Sequence, residues 1–264
     1  MLRIRVMLIA NNSGELGFTG HKIRASILKT INEKNPDLAA LLHDPQEKWL
    51  LSPYSIKPLK PARIRREKVE YYPLKLRIKR GKSYDFEITL LPKEILTEVL
   101  EILTETSTLE IGDIEFTVSY LEAQKVNIED ETEAKTITIQ FQTPTYFKSR
   151  ERPENVLLPL PELFIASAAK IWNTYIEQTY DIKELAEKAK RKTKITAHKL
   201  KTVRPIQISK KRVIIGFVGK VTYEILDKEL AKTFGKLAKL AEITNIGGGR
   251  TAGFGVIRIL KTKP

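Results

Sequence analysis

Apolar and polar residues alternate in part along Leu2–Ala10, the period of a half-buried strand. From Thr19 to Lys34 the period changes. Ile23, Ile27, Leu28 and Ile31 fall on one face of a predicted helix, and Asn35-Pro36 breaks it. A short second helix follows over Asp37–His43. After a proline-rich connection, strand patterns run over Arg63–Tyr71 and Leu74–Leu90, the latter with a turn at Arg80-Gly81-Lys82. Pro92–Glu105 reads as a helix that starts on proline and carries Ile95, Val99 and Ile102 on one face. Leu109–Gln124 returns to strand. The order is β-α-β-β-α-β.

An acidic, polar stretch over 126–134 separates this unit from a second. Lys135–Thr143 alternates through Ile137, Ile139 and Phe141; a helix is predicted from Pro161 to Gln178; Thr193–Arg204 and Arg212–Ile225 read as strands. Leu226–Thr244 is helical, with Leu230, Phe234, Leu237 and Leu240 apolar, and Gly253–Leu260 ends in a strand. The order is again β-α-β-β-α-β. The expected architecture is α+β, two ferredoxin-like domains in tandem, 1–128 and 129–264. That fold serves many functions.

Composition narrows the chemistry. The 264 residues include no Cys and three His (His21, His43, His198), so disulfides, Cys-ligated zinc and a thiol nucleophile are excluded. No metal site and no cofactor are expected. Charges interrupt every apolar run, and MLRIRVMLIANNSGE is too short and too charged for a secretory signal. The expectation is a cytoplasmic protein with no membrane contact.

Charge supplies a direction. The formal net charge is +14. Residues 183–264 hold 21 Lys and Arg against 6 Asp and Glu, so this third accounts for the whole excess. Residues 57–82 carry eleven basic residues against two acids, and 93–133 carry twelve acids against two Lys. Heat adaptation raises both signs together and does not explain this segregation. A polyanion such as nucleic acid does.

The sharpest local signal is NIGGGRTAGFGVIRI, with Gly247, Gly248, Gly249, Gly253 and Gly255 around Arg250 in the loop 245–255. Glycines permit backbone conformations that side chains forbid, and they admit a polyanion close to the main chain. A nucleotide P-loop needs Gly-Lys-Ser/Thr between a strand and a following helix; here Gly249-Arg250-Thr251 lies between a helix and a strand. A dinucleotide fingerprint needs an acidic residue about 20 positions on, and nine residues follow Gly255.

GGGRTAGFG resembles the C-terminal glycine-rich loop of the CRISPR repeat-processing endoribonucleases, members of the RAMP superfamily. Phe18–Asp44 (FTGHKIRASILKTINEKNPDLAALLHD) is similar to that family's first helix, its Asn-Pro break and a short helix ending in Leu-His-acid. Thr143–Phe147, Leu158–Phe164 and Gly216–Ile225 resemble further family segments in order. The resemblance implies two ferredoxin-like domains and a CRISPR repeat RNA (pre-crRNA) partner. It also implies metal-independent cleavage by 2′-OH attack, leaving a 2′,3′-cyclic phosphate and a 5′-OH. A homodimer and association with a CRISPR effector complex are partners it leaves open. A non-catalytic RAMP-type crRNA-binding subunit is the alternative.

His43 matches the family's catalytic histidine; imidazole both takes and gives a proton near neutrality. Lys48 falls close to the family's lysine, while Leu28 stands where some members carry a tyrosine. Tyr54 and His21 are the other candidates for proton transfer. For RNA grip the candidates are the loop glycines and Arg250, then Lys199, Lys201 and Arg204 on a strand, the Lys210-Lys211-Arg212 turn, and Lys190-Arg191-Lys192. Phe254 is expected to anchor the loop in the core.

Overall fold

In the computed structural model, which describes residues 1–44, 48–65, 68–128, 134–149, 153–209 and 212–263, the first strand shows why the alternation matters. β1 (Leu2–Ala10) buries Ile4, Val6, Leu8 and Ala10 on one face and turns Arg3 and Arg5 to the other. β2 (Gly14–Leu16) leads to α1 (Gly20–Lys34), whose Ile23, Ile27 and Ile31 pack on that apolar face. The Thr19 hydroxyl does not cap α1; it accepts the Leu59 N–H at 2.9 Å and ties the helix start to the sheet. Asn35 ends α1 and starts α2 (Pro36–His43), where its side chain accepts the Leu38 N–H at 2.9 Å.

β3 (Tyr54–Pro61), β4 (Leu76–Ile78), β5 (Ser83–Leu90), α3 (Leu96–Thr104), β6 (Thr108–Ile111) and β7 (Ile114–Lys125) complete the first unit. Its antiparallel sheet runs β3-β5-β1-β7-β6. Two expectations are corrected here. The strand is Tyr54–Pro61, expected as a proline-rich connection, and the described part of Arg63–Tyr71 is turns and a short helical turn. Proline is tolerated because β3 is an edge strand and its pairing with β5 shifts register between Lys57 and Lys60, around Pro58. β4 pairs with β2, not with β5.

The second unit contains β8 (Thr136–Thr145), the short pair β9 (Phe147–Lys148) and β10 (Asn155–Val156), α4 (Pro161–Tyr175) and α5 (Ile182–Lys192). β11 (Thr193–Thr202), the hairpin β12 (Ile206–Ser209) and β13 (Arg212–Ile214), β14 (Phe217–Ile225), α6 (Lys228–Thr244) and β15 (Ile257–Lys263) follow. Its sheet runs β11-β14-β8-β15, antiparallel throughout. In both sheets the order, counted along each βαββαβ repeat, is second, third, first, fourth, with β6 added at one edge of the first. The core of the second unit is aromatic: Phe164 stacks on Phe234 at 5.4 Å and both meet Tyr223.

One unit comprises Met1–Asn127 with Thr251–Gly253, the other Ile128–Arg250 with Phe254–Pro264. The three residues at the tip of the glycine-rich loop therefore belong with the first unit. No described helix is long and apolar enough to cross a membrane.

Candidate functional site

His21, Arg24 and Leu28 lie at i, i+3 and i+7 of α1 and share one face. Arg24 organises the surroundings of His43. Its Nη2 donates to the His43 carbonyl oxygen at 3.3 Å, and its Nε donates to the Tyr54 hydroxyl at 3.2 Å. One planar guanidinium thus links α1, the last turn of α2 and the first residue of β3. The carbonyl it holds lies at the negative end of α2, where a cation is favoured. The His43 side chain is exposed. Tyr54 is buried, and burial pushes its phenol pKa up while Arg24 pulls it partly back. The phenol therefore stays protonated at neutral pH.

Of the expected proton-transfer residues, the structure joins His43 and Tyr54 through Arg24, which the sequence reading missed. The available signal was a cation on the His21–Leu28 face of α1. Leu28 packs against the core. Lys48 is exposed with its ammonium 5.0 Å from the Trp49 ring; among the described hydrogen bonds and ion pairs none connects it to His43 or Tyr54. His21 sits in the first turn of α1, stacked on Phe18 at 6.5 Å, and burial together with Lys22 pushes its pKa down. At its neighbour Gly20 a Cβ would stand 2.2 Å from the Ala252 oxygen, so the loop tip rests directly on the start of the helix.

The glycine-rich loop is a packed structure. The Gly247 N–H donates to Ser167 Oγ at 3.1 Å, Gly248 N–H to the Tyr146 oxygen at 3.0 Å and Gly255 N–H to the Pro144 oxygen at 3.2 Å. Gly255 has φ of 71°, and a Cβ there would lie 1.7 Å from the Ile246 oxygen. The glycines are required by the loop's own packing, and these three amides are not open to a polyanion.

Arg250 corrects an expectation. It is 7% exposed and donates through Nη1 to the Thr244 carbonyl at 3.2 Å, which closes the end of α6. Burial lowers its pKa to about 10, partly offset by Tyr175. It secures the loop instead of presenting a surface cation. Phe254 is fully buried and meets Tyr146 edge to face at 6.1 Å, the anchoring role expected for it.

The remaining basic candidates lie on the surface. Lys190, Arg191 and Lys192 form the exposed last turn of α5, which runs directly into edge strand β11. Lys199 and Lys201 are exposed on one face of β11, with Lys199 opposite Lys220, and Arg204 is exposed just beyond. Arg212 is exposed at the start of β13. Lys210 and Lys211 lie outside the described residues. In the first unit, Arg3, Arg5, Lys60, Arg63 and Arg65 line a groove of about 620 Å³ that also meets Glu87 and Glu122. Among the described residues no group of three or more His, Asp or Glu is arranged to hold a metal ion.

Residues 139–257 match the family model described as CRISPR-associated endoribonuclease Cas6. No curated protein matches the chain. Among solved structures, a Cas6 product complex is 19% identical over 98% of this chain and 99% of its own, with a TM-score of 0.77. Thermus thermophilus Cas6 is 17% identical, covering 98% of each chain with a TM-score of 0.70. A Cas6-related protein from Pyrococcus furiosus is 16% identical over 99% of each chain, with a TM-score of 0.59. At these identities the likeness concerns the fold, two ferredoxin-like units in tandem. The second unit thus matches the CRISPR-associated Cas6 model, and the fold along the whole chain is shared with Cas6 structures.

Proposed function

We propose that this protein cuts CRISPR repeat RNA within the repeat, by attack of a ribose 2′-OH on the adjacent phosphate and without a metal ion. The observation that carries the reading is the Arg24 guanidinium held between the His43 carbonyl and the Tyr54 hydroxyl. A transesterification of this kind needs a proton acceptor for the 2′-OH, a proton donor for the leaving 5′-oxygen and a cation for the phosphorane. His43 serves one of the two proton transfers. Arg24 faces the non-bridging oxygens with the donors that Tyr54 and the helix carbonyl leave over. Tyr54, kept protonated by burial, orients the guanidinium and does not act as a base. As the 2′-oxygen bonds to phosphorus, the bond to the 5′-oxygen breaks. The products are a 2′,3′-cyclic phosphate and a 5′-OH, with one proton lost and one gained.

The reading is supported by the family match, by the helix–His43–Asp44 segment and by the basic surfaces of both units. Leu28 and the Trp49-bound Lys48 favour a second reading, a RAMP-type subunit that binds crRNA without cutting it. A repeat RNA with a single 2′-deoxy residue before the scissile phosphate separates the two. The expected result is cutting of the all-ribo RNA and binding without cutting of the substituted one. Binding of both RNAs with no cutting supports the subunit reading, and cutting of the deoxy substrate rules out 2′-OH attack.

A further inference from the structure

α1 covers the face of the first unit's sheet that bears Ile4, Val6 and Leu8. The residues between them point to the opposite face, and the strand register sorts that face into rows. Lys60, Asp85, Met7 and Tyr120 lie side by side across β3, β5, β1 and β7, and Lys57, Glu87, Arg5 and Glu122 form the next row. Asp85 pairs with Arg5 and Lys60, and Glu87 pairs with Lys57 and Arg3. Lys60 reaches further. Its buried ammonium, 2.6 Å from Asp85, donates to the Ile64 carbonyl at 2.9 Å, and the Ala62 N–H donates to the Ser83 carbonyl at 3.0 Å. These contacts pin the turn after β3, which brings Arg63 and Arg65 to the groove that Arg3 and Arg5 also line. Both turn arginines are exposed, and none of the described hydrogen bonds or ion pairs occupies either guanidinium. At the far end of the first row Tyr120 is 56% exposed, beside half-buried Met7 and exposed Ile9.

We propose that this face of the first unit is a platform for single-stranded RNA, with a base stacked on Tyr120 and phosphates held by Arg63 and Arg65. The inference rests on the RNA-binding reading above. The face carries six cations, Lys57 and the five that line the groove, against the three acids Asp85, Glu87 and Glu122. That balance favours a polyanion. An exposed phenol ring on the same face suits a nucleobase, since every base offers a face for stacking. A double helix hides those faces, so the occupant is a single strand. Neighbouring strands lie about 4.8 Å apart, so a row from β3 to β7 spans about 14 Å. Four-stranded sheets of this type hold two or three bases. The ion pairs give the platform its rigidity. They fix the cations of β1 and β3 in the sheet and, through Lys60, the turn that presents Arg63 and Arg65, so less freedom is lost on binding.

The test is a titration of labelled CRISPR repeat RNA, and of a blunt RNA duplex, with the full chain at several salt concentrations. It compares wild type, Tyr120→Ala, Tyr120→Phe, Tyr120→Leu and the double variant Arg63→Ala/Arg65→Ala. Tyr120→Ala and Tyr120→Leu are expected to weaken repeat binding about tenfold with the salt slope unchanged, and Tyr120→Phe to bind as wild type does. The double arginine variant is expected to weaken binding and to lower the slope of log affinity against log salt by about 1.4, or roughly 0.7 for each phosphate on a single strand. The duplex is expected to bind Tyr120→Ala as it binds wild type. Unchanged repeat affinity in Tyr120→Ala, full affinity in Tyr120→Leu, or a loss in Tyr120→Phe equal to that in Tyr120→Ala overturns the stacking. An unchanged salt slope in the double arginine variant overturns the phosphate contacts, and an equal Tyr120→Ala loss on the duplex overturns the single-strand assignment. Wild-type chain that binds no repeat RNA overturns the RNA-binding reading itself, a result distinct from variants that match a wild type that binds.

Discussion

Arg24 stands one turn before Leu28 on α1, and its guanidinium fixes the end of α2 that carries His43. The two residues have separable effects. On the proposed mechanism His43→Ala removes a proton-transfer group, and the expected loss is roughly 100- to 10,000-fold in single-turnover rate, with RNA affinity retained. On the same mechanism Arg24→Ala is expected to cost on the order of 100-fold in rate through lost phosphorane stabilisation, and it removes the hydrogen bond to the His43 carbonyl. An unchanged cutting rate in His43→Ala would show that another group transfers the proton. His21 makes a different prediction. Burial and Lys22 lower its pKa, so the folded state favours neutral imidazole. Its favourable contribution is complete above about pH 6.5 and is lost as pH falls from there through the lowered folded value. Between about pH 7.5 and about pH 5, His21→Gln should therefore lose less thermal stability than wild type. A constant Tm difference between the two would contradict this.

At the scale of elements, the loop between α6 and β15 is held by contacts that only glycine permits. Gly255→Ala forces a Cβ onto the Ile246 oxygen at a positive φ. The strained φ alone costs roughly 1–3 kcal/mol, and the clash adds to it. A Tm within a degree of wild type would refute the packed-loop description. Elements with a clear period were legible in the sequence. Ile23, Ile27 and Ile31 mark α1, and Ile137, Ile139 and Phe141 mark β8. β3 was not, because Pro58 and Pro61 read as loop until an edge position and a register shift make room for them. α5 went unrecognised because it buries only Ala189 fully, although Asp181 caps it through the Lys183 and Glu184 amides. At the site, His43 and Tyr54 were legible as residue types. The link through Arg24 was not, since it joins α1 to residues 19 and 30 positions away. Arg250 misled because charge in a sequence says nothing of burial.

Across the whole molecule, the charge excess of residues 183–264 resolves into surfaces. The last turn of α5, the exposed face of β11 and the exposed Arg212 carry part of it outward, while Arg250 is turned inward. In the first unit the sheet face that bears Arg3 and Arg5 is an ionic lattice. Buried Asp85 pairs with Arg5 and Lys60, and Glu87 pairs with Lys57 at 3.8 Å and Arg3 at 3.9 Å. Basic residues line the groove beside it. In this account both units contribute cations to hold RNA phosphates, and α1 with α2 supplies the chemistry.

The most direct test is mass spectrometry of the products from repeat RNA incubated with the wild-type chain in excess EDTA. The account predicts cutting at one position in the repeat, an upstream fragment one water lighter than its 3′-phosphate form, and a downstream fragment with a free 5′-OH. Cutting that requires a divalent ion, or fragments that end in 3′-OH and begin with 5′-phosphate, would contradict it.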